Sequence, residues 1–409
     1  MASTISELNS GLGAYSRLLR SPGAGALALW GLIGRFPTAM RAVSCVMLIL
    51  ATEGSLQAAG TVAGVIVLAQ GIAGPVFGRL ADRRSQREIM LIVCALHGMG
   101  MGLLLAAAVF HAPLWLLICA AVCAGGTAVP VGPFARARWA ALVDADKLRT
   151  AYALESILDE IVFVLGPLLV VVVVTGLHPA FGLVACAVLV IVGCAGLARH
   201  RQSEPAAGAM TGRKSDPAIL IAGVQIMVMT YVAMGVHLGA IDISLISFAR
   251  EQHITEVTGW LLALNALGSM VSGIWFGAVN WRMPESRLFL VTVAMLGVAA
   301  VPLALVDAPP VMALCAFLSG LPIAPTWIAG SSLLQSLAPP GSLSEGFSWL
   351  SSLAALGAAI GIAISGALAD AGGSDKAAAL AVGGGVIALL VVAAGYRKLG
   401  KTPTRKVLR

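Results

Sequence analysis

Stretches of about 20 apolar residues recur along the whole chain, separated by short polar punctuation that usually contains Arg, Pro or Gly. Such a stretch crosses roughly 30 Å of hydrocarbon as an α-helix. In lipid each backbone N–H and C=O must be satisfied internally, which leaves only helices or a closed barrel. The segments are too long for barrel strands, and the Ala/Leu/Gly/Val runs lack period-2 alternation. Twelve spans are predicted, near 27–50, 56–78, 89–110, 113–135, 152–175, 178–199, 217–248, 257–279, 288–306, 311–335, 346–369 and 377–396. The seventh is overlong, as a tilted or broken helix would be. Of 409 residues 59% are hydrophobic and 11% charged, with mean hydropathy +0.94. A soluble domain carries roughly 25% charged residues, so the chain reads as an all-α membrane protein with no room for a soluble domain.

The basic residues set the orientation. Counting alternate loops puts Arg17, Arg20, Arg79, Arg83, Arg84, Arg87, Arg136, Arg138, Lys147, Arg149, Arg199, Arg201, Arg213, Lys214, Arg282, Arg287 and the tail cations Arg397 to Arg409 on one face, with only Arg250 and Lys376 on the other. By the positive-inside rule both termini are cytoplasmic. The same asymmetry accounts for the +7 charge, so no nucleic-acid partner is implied, and the basic tail suits anionic lipid headgroups. All seven cysteines fall inside predicted spans, which argues against a disulfide framework. The first span has no cleavage site after it and reads as uncleaved. Short loops and an Ala/Gly/Val-rich composition point to a bacterial inner (plasma) membrane, and a monomer is expected.

The longest polar interruption, 199–216, divides the chain into an N-terminal bundle (1–198) and a C-terminal bundle (217–396), followed by a basic tail (397–409). The halves resemble each other. An offset of 199 carries Gly74, Phe77, Gly78 and Arg83 onto Gly273, Phe276, Gly277 and Arg282, and an offset of 195 carries Pro130, Leu142, Leu148, Tyr152 and Gly166 onto Pro325, Leu337, Leu343, Phe347 and Gly361. Repeated bundles of this kind enclose a site at mid-membrane in many secondary transporters. The spacings Gly74-x-x-x-Gly78, Gly273-x-x-x-Gly277 and Gly357-x-x-x-Gly361 permit close helix approach.

Gly78-Arg79-Leu80-Ala81-Asp82-Arg83-Arg84-Ser85-Gln86-Arg87, between the second and third spans, resembles the major facilitator signature G-x-L-A-D-R-x-G-x-R/K. Gly78, Leu80, Asp82, Arg83 and Arg87 match, and Ser85 stands where the family has a second glycine. The resemblance implies the major facilitator fold: twelve transmembrane helices in two six-helix pseudo-repeats. It also implies a conformational latch at Gly78, Asp82 and Arg83. The acid is placed to cap the third helix. The equivalent loop, Gly277 to Arg287, has Trp281 in place of the acid, so the two latches are expected to be unequal. Glu155-Ser156-Ile157-Leu158-Asp159-Glu160 followed by Gly166-Pro167 resembles the fifth helix of a bacterial facilitator subgroup, without the additional glycines of the antiporter signature.

Placing an ionised group in hydrocarbon costs at least ~2.5–3.5 kcal/mol, so each such residue needs a partner, water or a task. The candidates for substrate binding and proton coupling are Arg35 and Arg41 in the first span, Glu155, Asp159 and Glu160 in the fifth, and Asp242 in the seventh. Arg35 and Asp159 each lie about 12 Å from the basic end of their helices, so they can pair. Arg41 lies near mid-membrane, where it suits an anionic substrate or a carboxylate that releases on protonation. Glu155 and Asp159 share a helix face, while Glu160 points about 100° away. Desolvation and like charge raise a carboxyl pKa, so one of these acids is expected to exchange protons near neutral pH. At the 195 offset Leu350, Ala354 and Ala355 stand in their places, so folding of the repeat does not require them.

Gly395 to Thr402 matches the phosphate-loop pattern G-x-x-x-x-G-K-[ST]. That loop works only between a strand and a helix, whereas here it follows a membrane span. ATP binding is therefore rejected, and neither cofactor nor catalysis is expected, the energy coming from a proton gradient. The leading expectation is a secondary transporter exporting a small molecule against protons. The alternatives are uptake of an organic anion with Arg35 and Arg41 as counter-charge, or a receptor or assembly factor that has kept the fold.

Overall fold

A computed structural model of the chain describes residues 13–53, 56–205, 217–254, 257–279, 281–339 and 341–400. Most of the interruption between the halves, with Gly208, Gly212, Arg213 and Lys214, lies outside these residues, as do the tail cations Lys401, Arg405, Lys406 and Arg409. Among the described residues twelve helices are long and apolar enough to cross a membrane. The first six are α1 (Ala24–Glu53), α2 (Ala58–Arg83), α3 (Gln86–Val109), α4 (Leu114–Leu142), α5 (Leu148–Gly176) and α6 (Ala180–Arg199). The second six are α7 (Ala222–Glu251), α8 (Thr258–Ala278), α9 (Glu285–Ala304), α10 (Pro309–Leu337), α11 (Leu343–Gly372) and α12 (Ser374–Leu399). A short helix over 13–19 precedes α1, and no strand occurs among the described residues.

Three expectations change. The seventh span is neither broken nor as early as predicted: α7 is one continuous 30-residue helix. Its lead-in, Ala218–Leu220, forms a 3-10 turn instead. The fourth span runs on past its predicted end at 135. It consists of Leu114–Gly126 and Val131–Leu142, and the second piece begins after Pro130, where a missing N–H costs a helix least. Arg136 and Arg138, counted among the loop cations, are consequently buried at 5% and 0% exposure. The fifth helix begins four residues early, at Leu148, and takes Arg149 with it. The phosphate-loop match runs through the helical end of α12 as far as Leu399, with Lys401 and Thr402 outside the described residues.

Within each half, backbones meet where side chains are absent. Gly193 of α6 lies against Gly34 of α1, so close that a methyl group at Gly193 would strike the opposing main chain, and Gly235 of α7 lies against Gly357 of α11, where a methyl group at either position would do so. In lipid this contact is what association rests on, because the hydrocarbon competes for every apolar side chain.

The apolar core has a lopsided division that defines the shape between the halves. On the side of the basic loops one cluster draws on both bundles, joining Phe134, Trp139 and Tyr152 to Tyr231, Phe289 and Phe347. Toward the opposite face it splits. Met40, Leu48, Ile66, Leu104 and Leu183 form a cluster within α1–α6, and Ile241, Leu245, Phe248, Leu303 and Met312 one within α7–α12. The bundles therefore share one core at the basic face and keep separate cores beyond it.

Candidate functional site

Four charged side chains close a neutral network between α1, α4 and α5. Glu155 and Asp159 are one turn apart on α5 and face α1 together. Arg35 of α1 donates from Nη1 to Asp159 Oδ1 at 2.9 Å and to the Glu155 carbonyl at 3.3 Å. Its Nη2 pairs with the Glu155 carboxylate. Arg136 of α4 donates from Nη2 to the other oxygen of Asp159 at 2.6 Å, and Trp139 Nε1 donates to Glu155 Oε1 at 2.7 Å. Two guanidinium charges thus balance two carboxylates. Glu155 is fully enclosed, while Asp159 keeps 30% of its side chain exposed. Such a cluster holds its geometry because removing one member strands the others.

Arg136 carries the network across to the second half. Its guanidinium lies 5.8 Å from the ring centroid of Trp327 on α10, within cation–π range. Trp327 meets Tyr231 of α7 edge-on at 4.7 Å, and Tyr231 stacks on Phe289 of α9.

Glu160 points away from this network, toward α8. Its Oε1 accepts a 2.6 Å hydrogen bond from Ser269 Oγ, the contact between halves farthest from the basic face among the polar ones of the described residues. No cation pairs with it among the described residues, while Asp159 and Asp242 are near enough for their charges to act on it. Asp242 is exposed on α7 and forms no ion pair among the described residues. Arg41 is 4% exposed and donates from Nη1 to Gln70 Oε1 at 3.0 Å. It too has no ion-pair partner among the described residues.

At the basic face the signature loop grips the other half. A methyl group at Gly78 would stand 2.6 Å from the Ser344 carbonyl and 2.8 Å from Glu345 Cα, so only glycine permits this approach of α2 to α11. Asp82 receives the main-chain N–H of Ser344 at 3.1 Å and of Glu345 at 2.8 Å. The acid therefore caps α11 and not α3, because its helix ends facing the first turn of the partner bundle. Capping of α3 falls to Ser85, which accepts from the N–H of Glu88 at 3.3 Å and donates to Glu204 Oε1 at 2.7 Å. Arg83 is exposed and forms no ion pair among the described residues. The second junction is made differently. Thr150 donates to the Gly277 carbonyl at 3.0 Å, Arg149 Nη2 donates to Glu285 Oε1 at 2.6 Å, and Tyr152 OH donates to Gln335 Oε1 at 3.0 Å. Tyr15, ahead of α1, donates to the Ile274 carbonyl at 3.1 Å, and burial pushes its phenol above the ordinary range.

Arg136 and Trp139, and with them Arg149 and Glu285, are not among the site candidates of the sequence, where the two arginines stand only as loop cations. The clue for the first two was available. Phe134-Ala135-Arg136-Ala137-Arg138-Trp139-Ala140-Ala141-Leu142 is a strong helix-forming run, but arginine is ordinarily read as the end of a span.

The sequence pattern of the Major Facilitator Superfamily matches residues 27–253 and, a second time, residues 226–408. No curated protein matches the chain in sequence. Among solved structures the chain is similar to a bacterial homologue of the iron transporter ferroportin in an outward-facing state, with 17% identity and a TM-score of 0.73 over 90% of this chain and 98% of that one. The human organic anion transporter MFSD10 gives 12% identity and a TM-score of 0.69 over 90% and 98%. The fucose:proton symporter FucP of E. coli gives 11% and 0.67 over 92% and 98%. At these identities the likeness is one of fold.

Proposed function

This chain belongs to the major facilitator superfamily, and from that premise we propose that it is a proton-coupled secondary transporter that exports a small organic molecule by alternating access. The family and fold make it a membrane transporter of some substrate. Our reading adds the proton, the direction and the orientation. The basic face is taken as cytoplasmic by the positive-inside rule, in a bacterial inner membrane. In our reading the bundles, which share a core only at that face, are closed to the cytoplasm and enclose a chamber open outward.

The observation that carries the coupling is the bond between Glu160 and Ser269. It joins α5 to α8 across the two halves and ends on an acid with no cation partner among the described residues. An ionised carboxylate accepts a hydrogen bond worth about 1.5–3 kcal/mol, a neutral one about 0.5–1.5. Protonation from the chamber thus weakens the closure by about 1–1.5 kcal/mol, roughly tenfold in the balance of the two states. Glu155 and Asp159 suit this role less, being held by Arg35, Arg136 and Trp139.

The test is flux in proteoliposomes, with a ligand-induced melting screen of the purified protein to supply the substrate. In the Glu160→Gln variant, accumulation driven by a pH gradient should disappear while substrate counterflow continues. Full gradient-driven accumulation by this variant would remove Glu160 from coupling. A pH jump that moves no substrate through the unaltered protein, in either direction, would favour a receptor or assembly factor.

A further inference from the structure

Arg41 has no counter-charge among the described residues. Its side chain is 96% buried by the 4% exposure that remains, and among the described residues its one hydrogen bond is that from Nη1 to Gln70 Oε1. Nε is sealed from solvent without a partner. Among the described residues Nη2 has no acceptor and it is not one of the sealed atoms, so it is the guanidinium nitrogen that keeps some accessible surface. An isolated charge out of water is the most costly arrangement a protein can hold. The neighbouring Arg35 demonstrates the alternative, for both of its terminal nitrogens end on carboxylates.

Two polar side chains share the depth of Arg41. Arg41, Gln70 and His97 each lie twelve residues from the outer end of α1, α2 and α3, about 18 Å along the axis. Gln70 occupies the same face of α2 as Gly74, the residue that opposes Ser352 of α11, so it borders the space between the halves. Because its Oε1 is fixed on Arg41, its amide N–H groups are turned the other way. His97 accompanies them without competing, since Nδ1 serves the Ala124 carbonyl at 2.9 Å and leaves Nε2 as an unpartnered acceptor. The layer therefore offers donors from Arg41 Nη2 and the Gln70 amide, and no acid. Resting on the transport reading, we propose that Arg41 and Gln70 form an anion site on the wall of the chamber and that the transported molecule is held there by a carboxylate-class group.

The binding step is tested without any knowledge of the substrate. Sodium acetate and sodium chloride are titrated against the melting temperature of the full-length protein in detergent. Acetate should raise it saturably, by on the order of 2 °C or more, and more than chloride does, since a guanidinium fork fits two oxygens better than one sphere. Arg41→Gln should abolish the saturable part. Gln70→Glu places a carboxylate on the acceptor that Arg41 already touches. It should raise the melting temperature in anion-poor buffer and remove the response, which keeps the test decisive if Arg41→Gln does not fold. Identical acetate responses in unaltered and variant proteins would overturn the site. A response to chloride alone would overturn the substrate class. Neither binding outcome depends on flux: transport without an acetate response refutes the anion site only, and an acetate response without transport keeps the anion site but refutes the transporter reading and, with it, the assignment of the site to a transported molecule.

Discussion

Replacing Asp82 by Asn should open the basic face. The carboxylate accepts two main-chain N–H bonds, at 3.1 and 2.8 Å, at the first turn of α11, where the helix dipole also favours a negative charge. Asparagine keeps one acceptor and turns an N–H group toward the other donor. A charge-assisted hydrogen bond contributes about 1.5–3 kcal/mol and the dipole about 0.5–1, while relief from burying a charge offsets part of both. A net loss of about 2 kcal/mol shifts the balance between closed and open roughly 30-fold. An open population of about 1% would become about a quarter. The second junction contributes less. Arg149 and Glu285 are 17% and 30% exposed, so their pair is worth roughly 0.5–1 kcal/mol, and Arg149→Gln should shift the balance only about two- to fivefold. Spin labels at the exposed positions Arg84 and Arg282, with Cys119 and Cys123 replaced, report the separation of the halves by double electron–electron resonance. The reasoning is refuted if Arg149→Gln broadens the distance distribution and Asp82→Asn leaves it unchanged.

Two further outcomes follow from the same geometry. Arg35→Gln leaves the fully enclosed Glu155 without its cation, a loss of about 3–5 kcal/mol that should appear as a collapse in the yield of monodisperse protein. Adding Glu155→Gln to that variant should restore most of the yield, and no rescue would mean that Arg35 is held by packing alone. Gly78→Val forces α2 away from Ser344 and Glu345, so its label separation should exceed that of Asp82→Asn; a distribution like that of the unaltered protein would show that the contact can yield.

The fold was legible because lipid leaves few alternatives: span length, basic asymmetry and the offsets near 195 and 199 lead to twelve helices in two halves, as the structure has them. Legibility was poorer for the site, and for a particular reason. The depth of Arg35 and Asp159 along their helices gives their pairing directly, but an arginine at a span end reads as a loop cation. Arg136 was misplaced on that ground, and with it the second half of the cluster around Asp159. Asp82 was identified as a cap but given the wrong helix, since sequence ranks α3 as its neighbour and only the packing of the halves brings α11 to it. Glu160 differs from Asp159 by one position, and nothing in the sequence reveals that this rotation takes it from two arginines to a single serine.

That rotation explains how one helix can serve two purposes. The face of α5 that carries Glu155 and Asp159 is bound to α1 and α4 by paired charges, so α5 moves with its own bundle. The adjacent face presents Glu160 to α8, where one hydrogen bond is all that the charge controls. The partner bundle has Leu350, Ala354 and Ala355 at the equivalent positions of α11, so that helix repeats none of the three acids, and the partner charge near Glu160 is Asp242 of α7. A proton arriving through the chamber then meets acids of two kinds. Removing the charge of Asp159 breaks a four-residue network within one bundle, whereas removing that of Glu160 changes only the hold between bundles. The second is the less costly change and the one that alters which face is open, which is why the coupling is assigned to Glu160.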